Sequence, residues 1–348
     1  MHTMNTTFQT SPHDRSRLGL IDAIKGIASQ LIVLHHLAFY GPMSDVALEL
    51  APDLIRWLYD YGRVAVQAFL VIAGFLAARR LAPEGRLMAH HPWQLVWKRY
   101  LSLALPFLAA LVFAMLSAAV ARQLMQHDSI PAAPGILQIL AHALLIHGIT
   151  GVESLSAGVW YIAIDFQLFT LLVILLTPGR HNRLGGLLVG VLTLAALFVF
   201  NRLPELDAWG IYFFGSYGLG ALAYWSSCLN SNWRRIALLV AIGLTALLFD
   251  YRIRIAVALA LAIFLAIANR NAWMAWPPSR LLSWLGRISY AVFLIHFPVC
   301  LLVGALVHRL QPQSPAFNLF GILAAWLLSI AAGTLFYHCI ERRLRFKG

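Results

Sequence analysis

The chain has 348 residues, 60% of them hydrophobic and only 11% charged, with a mean hydropathy of +0.75, a balance that no soluble globular protein carries. Its 26 lysines and arginines exceed its 14 aspartates and glutamates, giving +12, but they are spread between apolar runs without interleaved aromatic residues, so nucleic acid is not the expected partner. An integral membrane protein remains.

Residues 1–17 are polar and end in His13-Asp14-Arg15-Ser16-Arg17, and the apolar stretch that follows is long and interrupted by Asp22 and Lys25. A cleaved signal peptide has a shorter, cleaner core, so this stretch reads as a retained first span. A crossing helix needs about 20 apolar residues. On that measure, spans are predicted near 18–40, 62–81, 101–123, 159–177, 184–200, 209–228, 236–250, 255–269, 282–307 and 317–339. The expected fold class is all-α integral membrane, about ten transmembrane helices in one bundle. A cytoplasmic N-terminal segment (1–17) precedes a single polytopic domain (18–339), and a basic cytoplasmic tail (340–348) follows. No internal repeat or long linker divides the chain.

The stretch 135–149 is apolar but short, and it carries His142 and His147. If it does not cross, seventeen lysines and arginines fall on one side of the membrane and six (Arg56, Arg122, Arg202, Arg252, Arg254 and Arg309) on the other. Letting it cross puts Arg180/Arg183, Arg234/Arg235 and the basic tail on the sparse side. The positive-inside rule therefore makes 135–149 re-entrant or periplasmic and places both termini in the cytoplasm. Cys228, Cys300 and Cys339 lack CxxC spacing and read as small buried hydrophobes.

An ionisable residue at the centre of a span costs about 2.5–3.5 kcal/mol on insertion scales, so those present should face the bundle interior. The first span carries Asp22, Lys25, His35 and His36. Asp22 and Lys25 are i,i+3 neighbours able to neutralise one another. Lys25 and His36 lie about 20° from the same face and about 16.5 Å apart along the axis. The plainer alternative is a helix end with Lys25 snorkelling and the histidines in the headgroups. Similar anomalies follow: Gln67 and then Ala73-Gly74-Phe75 in the second span, Asp165 and Gln167 in the fourth, and His296 before Pro298 in the ninth. The last span closes on His338-Cys339-Ile340-Glu341-Arg342-Arg343. Singly, Asp165 or Glu341 is as easily a structural anchor as a catalyst; a plain structural bundle does not need so many.

These segments together resemble the membrane-bound acyltransferase-3 family, integral enzymes that O-acylate carbohydrates and lipids. Its opening signature, Asp-x-x-Arg/Lys-Gly-Ile-Ala with a histidine after ten intervening residues, is similar to Asp22-Ala23-Ile24-Lys25-Gly26-Ile27-Ala28 followed by His36. Its aromatic Ser-Gly-Phe segment resembles Phe69 to Phe75 with Ala73 for serine. Its Trp-x-Leu-x-Val-Glu segment resembles Trp160-Tyr161-Ile162-Ala163-Ile164-Asp165 with Asp for Glu. Ile288-Ser289-Tyr290 through His296-Phe297-Pro298 matches a late family segment closely, and Glu341-Arg342-Arg343 lacks the closing proline. After the second span the family commonly shows Arg-x-x-Arg leading into proline; Lys98-Arg99-Tyr100-Leu101-Ser102 keeps only the first arginine, with Pro106 displaced by one.

The resemblance implies an acyl-CoA donor, usually acetyl-CoA, on the cytoplasmic side of a bacterial inner membrane. The acceptor it implies is a sugar hydroxyl of an exported polysaccharide or its lipid-linked precursor, with polysaccharide assembly machinery as a possible partner. Arg79, Arg80, Lys98 and Arg99 are candidates for the polyanionic CoA, and equally serve as positive-inside determinants. Catalytic candidates are His36, as general base or transient acyl-imidazole, Asp22 and Lys25 at the inner end of the pathway, Asp165 as an orienting carboxylate, and His296 as a second proton-handling group. No metal is expected, since His35/His36 and His90/His91 are adjacent, His142 and His147 are five apart, and none has i,i+4 spacing. The competing classes are a glycan or lipid transporter or flippase without acyl transfer, and a non-catalytic subunit of an export machine.

Overall fold

The computed structural model describes residues 18–88, 91–179, 182–228, 233–276 and 279–344. The N-terminal segment 1–17, His90, Arg180 and tail residues 345–348 lie outside the described residues. Every regular element among the described residues is helical. The long helices are α1 (Gly19–Phe39), then, after the short α2 (Pro42–Ala47) and α3 (Pro52–Tyr61), α4 (Val66–Leu81) and α5 (Pro92–Leu124). They continue, after the short α6 (Ile136–Ala143), with α7 (Trp160–Leu176), α8 (Leu184–Phe198), α9 (Gly210–Ser227), α10 (Trp233–Phe249), α11 (Ile253–Arg270), α12 (Arg280–Leu310) and α13 (Pro315–Phe336). A π-helical turn, Tyr337–Glu341, and α14 (Arg342–Leu344) close the described chain.

Each predicted span falls on one of these long helices. Among the described residues, seven helical stretches, against the ten expected, are long and apolar enough to cross a bilayer: Gly19–Phe39, Pro52–Leu81, Pro92–Leu124, Leu184–Arg202, Ile253–Arg270, Arg280–Leu310 and Pro315–Leu344, with Trp160–Leu176 apolar but shorter. The eight-residue α6 rises about 12 Å and is too short to cross a core of about 30 Å. Its end is held inside the bundle, where the Tyr100 hydroxyl donates to the Ala143 carbonyl at 2.8 Å.

Local sequence explains the helix boundaries. Proline opens α2, α3, α5 and α13, where its missing N–H costs nothing. Ser279 and Ser314 accept from the Leu282 and Phe317 amides as N-caps of α12 and α13. One boundary differs from expectation: α5 begins at Pro92, not near 101, so Lys98 and Arg99 lie on a helix and not in a loop. Hydropathy sees only the apolar part of a helix that continues into polar sequence.

Two parallel helix pairs build the interior, and small residues let them meet. Along α1 and α12, a Cβ placed on Gly286 would lie 2.0 Å from the Asp22 carbonyl oxygen; farther along the same seam His36 faces His296. Along α4 and α9, a Cβ on Gly220 would lie 2.0 Å from the Val71 carbonyl and one on Gly74 1.9 Å from that of Tyr217. Backbones this close leave dispersion and hydrogen bonding to hold the pair where lipid supplies no hydrophobic drive. The Ser216 hydroxyl donates to Gln67 Oε1 at 2.6 Å and the Trp225 indole to the Ala82 carbonyl at 2.7 Å, which gives the predicted polar Gln67 a structural partner. Tyr290 on α12 donates to the Leu103 carbonyl of α5 at 3.0 Å.

Candidate active site

Between α1, α4, α5, α7, α9 and α12 lies a cavity of about 990 Å³. It runs beside α1 from Leu18 to Ile32, about 21 Å of helix rise. Arg79, Arg80 and Lys25 stand toward the end where α1 begins, and Arg99, Asp165, Tyr217 and Tyr290 line its middle. Four basic side chains (Lys25, Arg79, Arg80, Arg99) and two acidic ones (Asp165, Glu341) reach its wall. Arg99 donates from Nη2 to Asp165 Oδ2, and Asp165 is buried while a third of the Arg99 side chain (33%) remains exposed. The remaining wall is aliphatic and aromatic, including Phe69, Ile72, Ala73 and Phe293.

Toward the histidines the cavity is lined by Phe69, Tyr161 and Phe293, whose rings meet edge to face, Tyr161 with Phe69 at 6.1 Å and with Phe293 at 5.7 Å between centroids. Behind this layer sit His36 and His296, both buried. His36 Nδ1 and His296 Nε2 are 2.7 Å apart, with ring planes within 14°. His296 Nδ1 faces the Phe293 carbonyl at 2.8 Å, and a carbonyl only accepts, so that nitrogen carries the proton. In neutral His296, Nε2 is then an acceptor, and His36 Nδ1–H must donate to it. The relay leaves the lone pair of His36 at Nε2. Gly158 abuts the pair: its φ is +75°, and a Cβ there would come within 3.0 Å of His36 Cε1 and 3.1 Å of the Phe293 ring. On the other side of His36 stands Tyr40, 5.5 Å away edge to face and packed in turn on Phe297; these two line a second, water-sized cavity of about 10 Å³.

The predicted site residues thus divide. Lys25, Arg79, Arg80, Arg99 and Asp165 share one cavity, and His36 and His296 form a hydrogen-bonded pair one aromatic layer beyond it. Asp22 does not reach the cavity wall; its backbone is the contact for Gly286. Lys98 is exposed and outside the wall, as it must be if its helical neighbour faces inward, because successive residues point about 100° apart. His35 makes a different contact from His36: its Nδ1 lies 2.9 Å from the Leu58 carbonyl, tying α1 to α3. Gln167, singled out as a polar residue in α7, joins that helix to the start of α9 by accepting from the Gly210 amide at 2.7 Å.

Sequence reasoning assigned no site role to Tyr161, Tyr217, Tyr290 or Ser102 and left Glu341 open between structural anchor and catalyst; all five are in the cavity wall. Tyr217 had a signal in its setting, Gly215-Ser216-Tyr217-Gly218-Leu219-Gly220, a small-residue run that marks a tightly packed interface. Glu341 is buried and is turned inward by the π-helical turn, a feature that concentrates at functional sites.

A family model described as an acyltransferase domain matches residues 19–337. The chain belongs to the acyltransferase-3 family. It is accordingly a multi-pass membrane acyltransferase. No curated protein and no solved structure matches it. The acyltransferase-3 match covers nearly all of the described chain, so the histidine pair and every cavity-lining residue except Leu18 and Glu341 lie inside the matched domain. Three of the departures from the family pattern fall on the cavity wall as well: Ala73 for serine, Asp165 for glutamate, and Ser102 one helical turn after Arg99, in place of the second arginine; the displaced Pro106 and the missing closing proline do not.

Proposed function

We propose that this protein transfers an acyl group, in the simplest case acetyl, from acyl-CoA to a sugar hydroxyl of an exported polysaccharide or its lipid-linked precursor. In this reading ten helices cross a bacterial inner membrane, both termini are cytoplasmic, and residues 18–339 form one catalytic domain. The observation that carries the reading is the juxtaposition of a net-basic cavity and a relayed histidine pair within one acyltransferase-3 domain.

The cavity opens beside Arg79, Arg80 and Lys25, a cationic rim suited to a polyanionic nucleotide. Its apolar walls suit the pantetheine arm and lead the thioester toward Phe293. Phe293 touches both compartments, lining the cavity and packing near His296 at 6.1 Å, so its rotation admits the thioester carbonyl to His36. The acceptor hydroxyl comes from the opposite side, past Tyr40 and Phe297. His36 Nε2 takes the hydroxyl proton as the oxygen attacks the carbonyl carbon. The carbon–sulfur bond then breaks, and the proton passes from the imidazolium to the thiolate, leaving an O-acyl sugar and free CoA. His296 holds the His36 tautomer and shares the positive charge as it develops. Lys25 and the Arg99–Asp165 pair position the donor.

Mass spectrometry of surface glycans tests this directly. A strain lacking the gene should lose acyl substituents from one glycan, and wild-type protein should restore them. Unchanged acylation with altered glycan export would refute acyl transfer and favour a transporter.

A further inference from the structure

Away from the cavity, three arginines converge where the turn between α8 and α9 meets the turn between α10 and α11. Arg252 Nη1 donates to the Asn201 carbonyl at 2.7 Å, and Arg254 Nη2 donates to the same oxygen. Arg252 Nε donates to Asp250 at 2.8 Å, which holds that carboxyl below the usual carboxylate range. Arg254 Nη1 donates to the Tyr212 hydroxyl at 2.7 Å, its guanidinium 4.5 Å over that ring. Arg202 lies 4.2 Å over Phe249 and comes only within 3.9 Å of Asp250. Three cations therefore share one carboxylate, and Glu205 and Asp207 in the same turn form no ion pair with them among the described residues.

Capping the 3-10 turn Phe200–Arg202 that follows α8 explains the bonds to the Asn201 carbonyl, where a helical end presents negative charge. It does not explain Arg202. Its Nε is buried without a hydrogen-bond partner among the described residues, as is the neighbouring Asn201 Oδ1. Nor does it explain why half of the six basic residues expected on the sparse side gather in one place. Phe249 and Tyr251, 67% and 71% exposed beside the cluster, are the kind of residue that settles at headgroup depth.

We propose that Arg202, Arg252 and Arg254 form a binding site for a phosphate group carried on a lipid at the membrane surface. Planar guanidinium forks match phosphate oxygens, and their weak hydration suits an interfacial setting. Two sources share this chemistry: a phospholipid headgroup and the phosphate of a lipid-linked acceptor. The second rests on the acyl-transfer reading above. It gains from a run of aromatic contacts, since Tyr212 meets Phe213 at 4.9 Å and Phe213 stacks on Trp160 at 5.4 Å, next to Tyr161 of the catalytic wall.

Native mass spectrometry of the purified full-length protein, without acyl-CoA, tests the site with three probes: phosphatidic acid, diacylglycerol and a polyprenyl diphosphate. Both phosphorylated lipids should bind and diacylglycerol should not. Arg202→Gln, which leaves every bond to Asn201 in place, should weaken phosphatidic acid binding about tenfold, and the triple Arg202→Gln, Arg252→Gln, Arg254→Gln variant should abolish it. Tighter binding of the polyprenyl diphosphate supports the acceptor-lipid source, and tighter binding of phosphatidic acid supports a headgroup. Equal retention of phosphatidic acid by wild type and Arg202→Gln overturns the site. Because no acyl transfer is read, that result would leave the catalytic reading standing.

Discussion

Gly286→Ala is expected to separate His36 from His296, the pair proposed as the reaction centre, from ten residues away. An added Cβ would lie 2.0 Å from the Asp22 carbonyl oxygen, 2.6 Å from its carbon and 2.8 Å from its Cα. A relaxed carbon–oxygen contact is about 3.3 Å, so α1 and α12 must part by about 1.3 Å at this level. The obstacle is backbone, which cannot rotate away, and the cost should sit near the upper end of the ~1–3 kcal/mol typical of overpacking. If the separation carries along the seam, the 2.7 Å His36–His296 contact opens to about 4 Å, outside hydrogen-bond range, and the relay is lost. Gly304→Ala on the same helix is the control, because the nearest atom to its new Cβ is Met43 Cε at 3.7 Å. Gly26→Ala, with contacts of 3.1 Å, should fall between them. Melting in detergent followed by size-exclusion chromatography, together with acyl transfer in membranes, should rank stability and activity as Gly304→Ala, Gly26→Ala, Gly286→Ala in descending order. Wild-type melting and activity in Gly286→Ala would show that the α1–α12 seam does not set the geometry of the pair.

Substitutions at two further positions probe the cavity. Lys25→Arg should retain acyl transfer and Lys25→Ala should lose it, and equal activity of the two would remove Lys25 from the site. Asp165→Asn should destabilise the protein by about 3 kcal/mol, the low end for breaking a buried pair because part of Arg99 faces the cavity, whereas Asp165→Glu should retain function; a melting temperature unchanged in Asp165→Asn would contradict the pairing with Arg99.

Hydropathy sufficed to place the long helices, because each must present an apolar surface to lipid, and charge asymmetry oriented them on paper. The intramembrane ionisables were legible for the same energetic reason: Lys25, Asp165, His36 and His296 stand out because lipid does not tolerate them singly. What periodicity alone could not supply was the rotational phase of each helix. Arg99 and Lys98 are equivalent in composition, and only the packing of α5 against α7 and α12 turns one inward and leaves the other exposed. Tyr217 escaped because its glycine-rich run marks close packing without saying which side chain faces a cavity, and Glu341, noted as an intramembrane acid, could not be placed in the wall because a π-helical turn shifts the facing of a residue in a way that no 3.6-residue count anticipates. The aromatic layer between the cavity and His36 is likewise a product of three separate helices, α4, α7 and α12, meeting.

The most direct test is acyl transfer by His36→Ala in membranes, with His35→Ala alongside to control for the neighbouring imidazole. We expect His36→Ala to express, insert and elute like wild type while transferring no acyl group, and His35→Ala to lose stability through its Leu58 contact yet keep measurable transfer. Full transfer by His36→Ala would contradict the assignment of the histidine pair as the reaction centre.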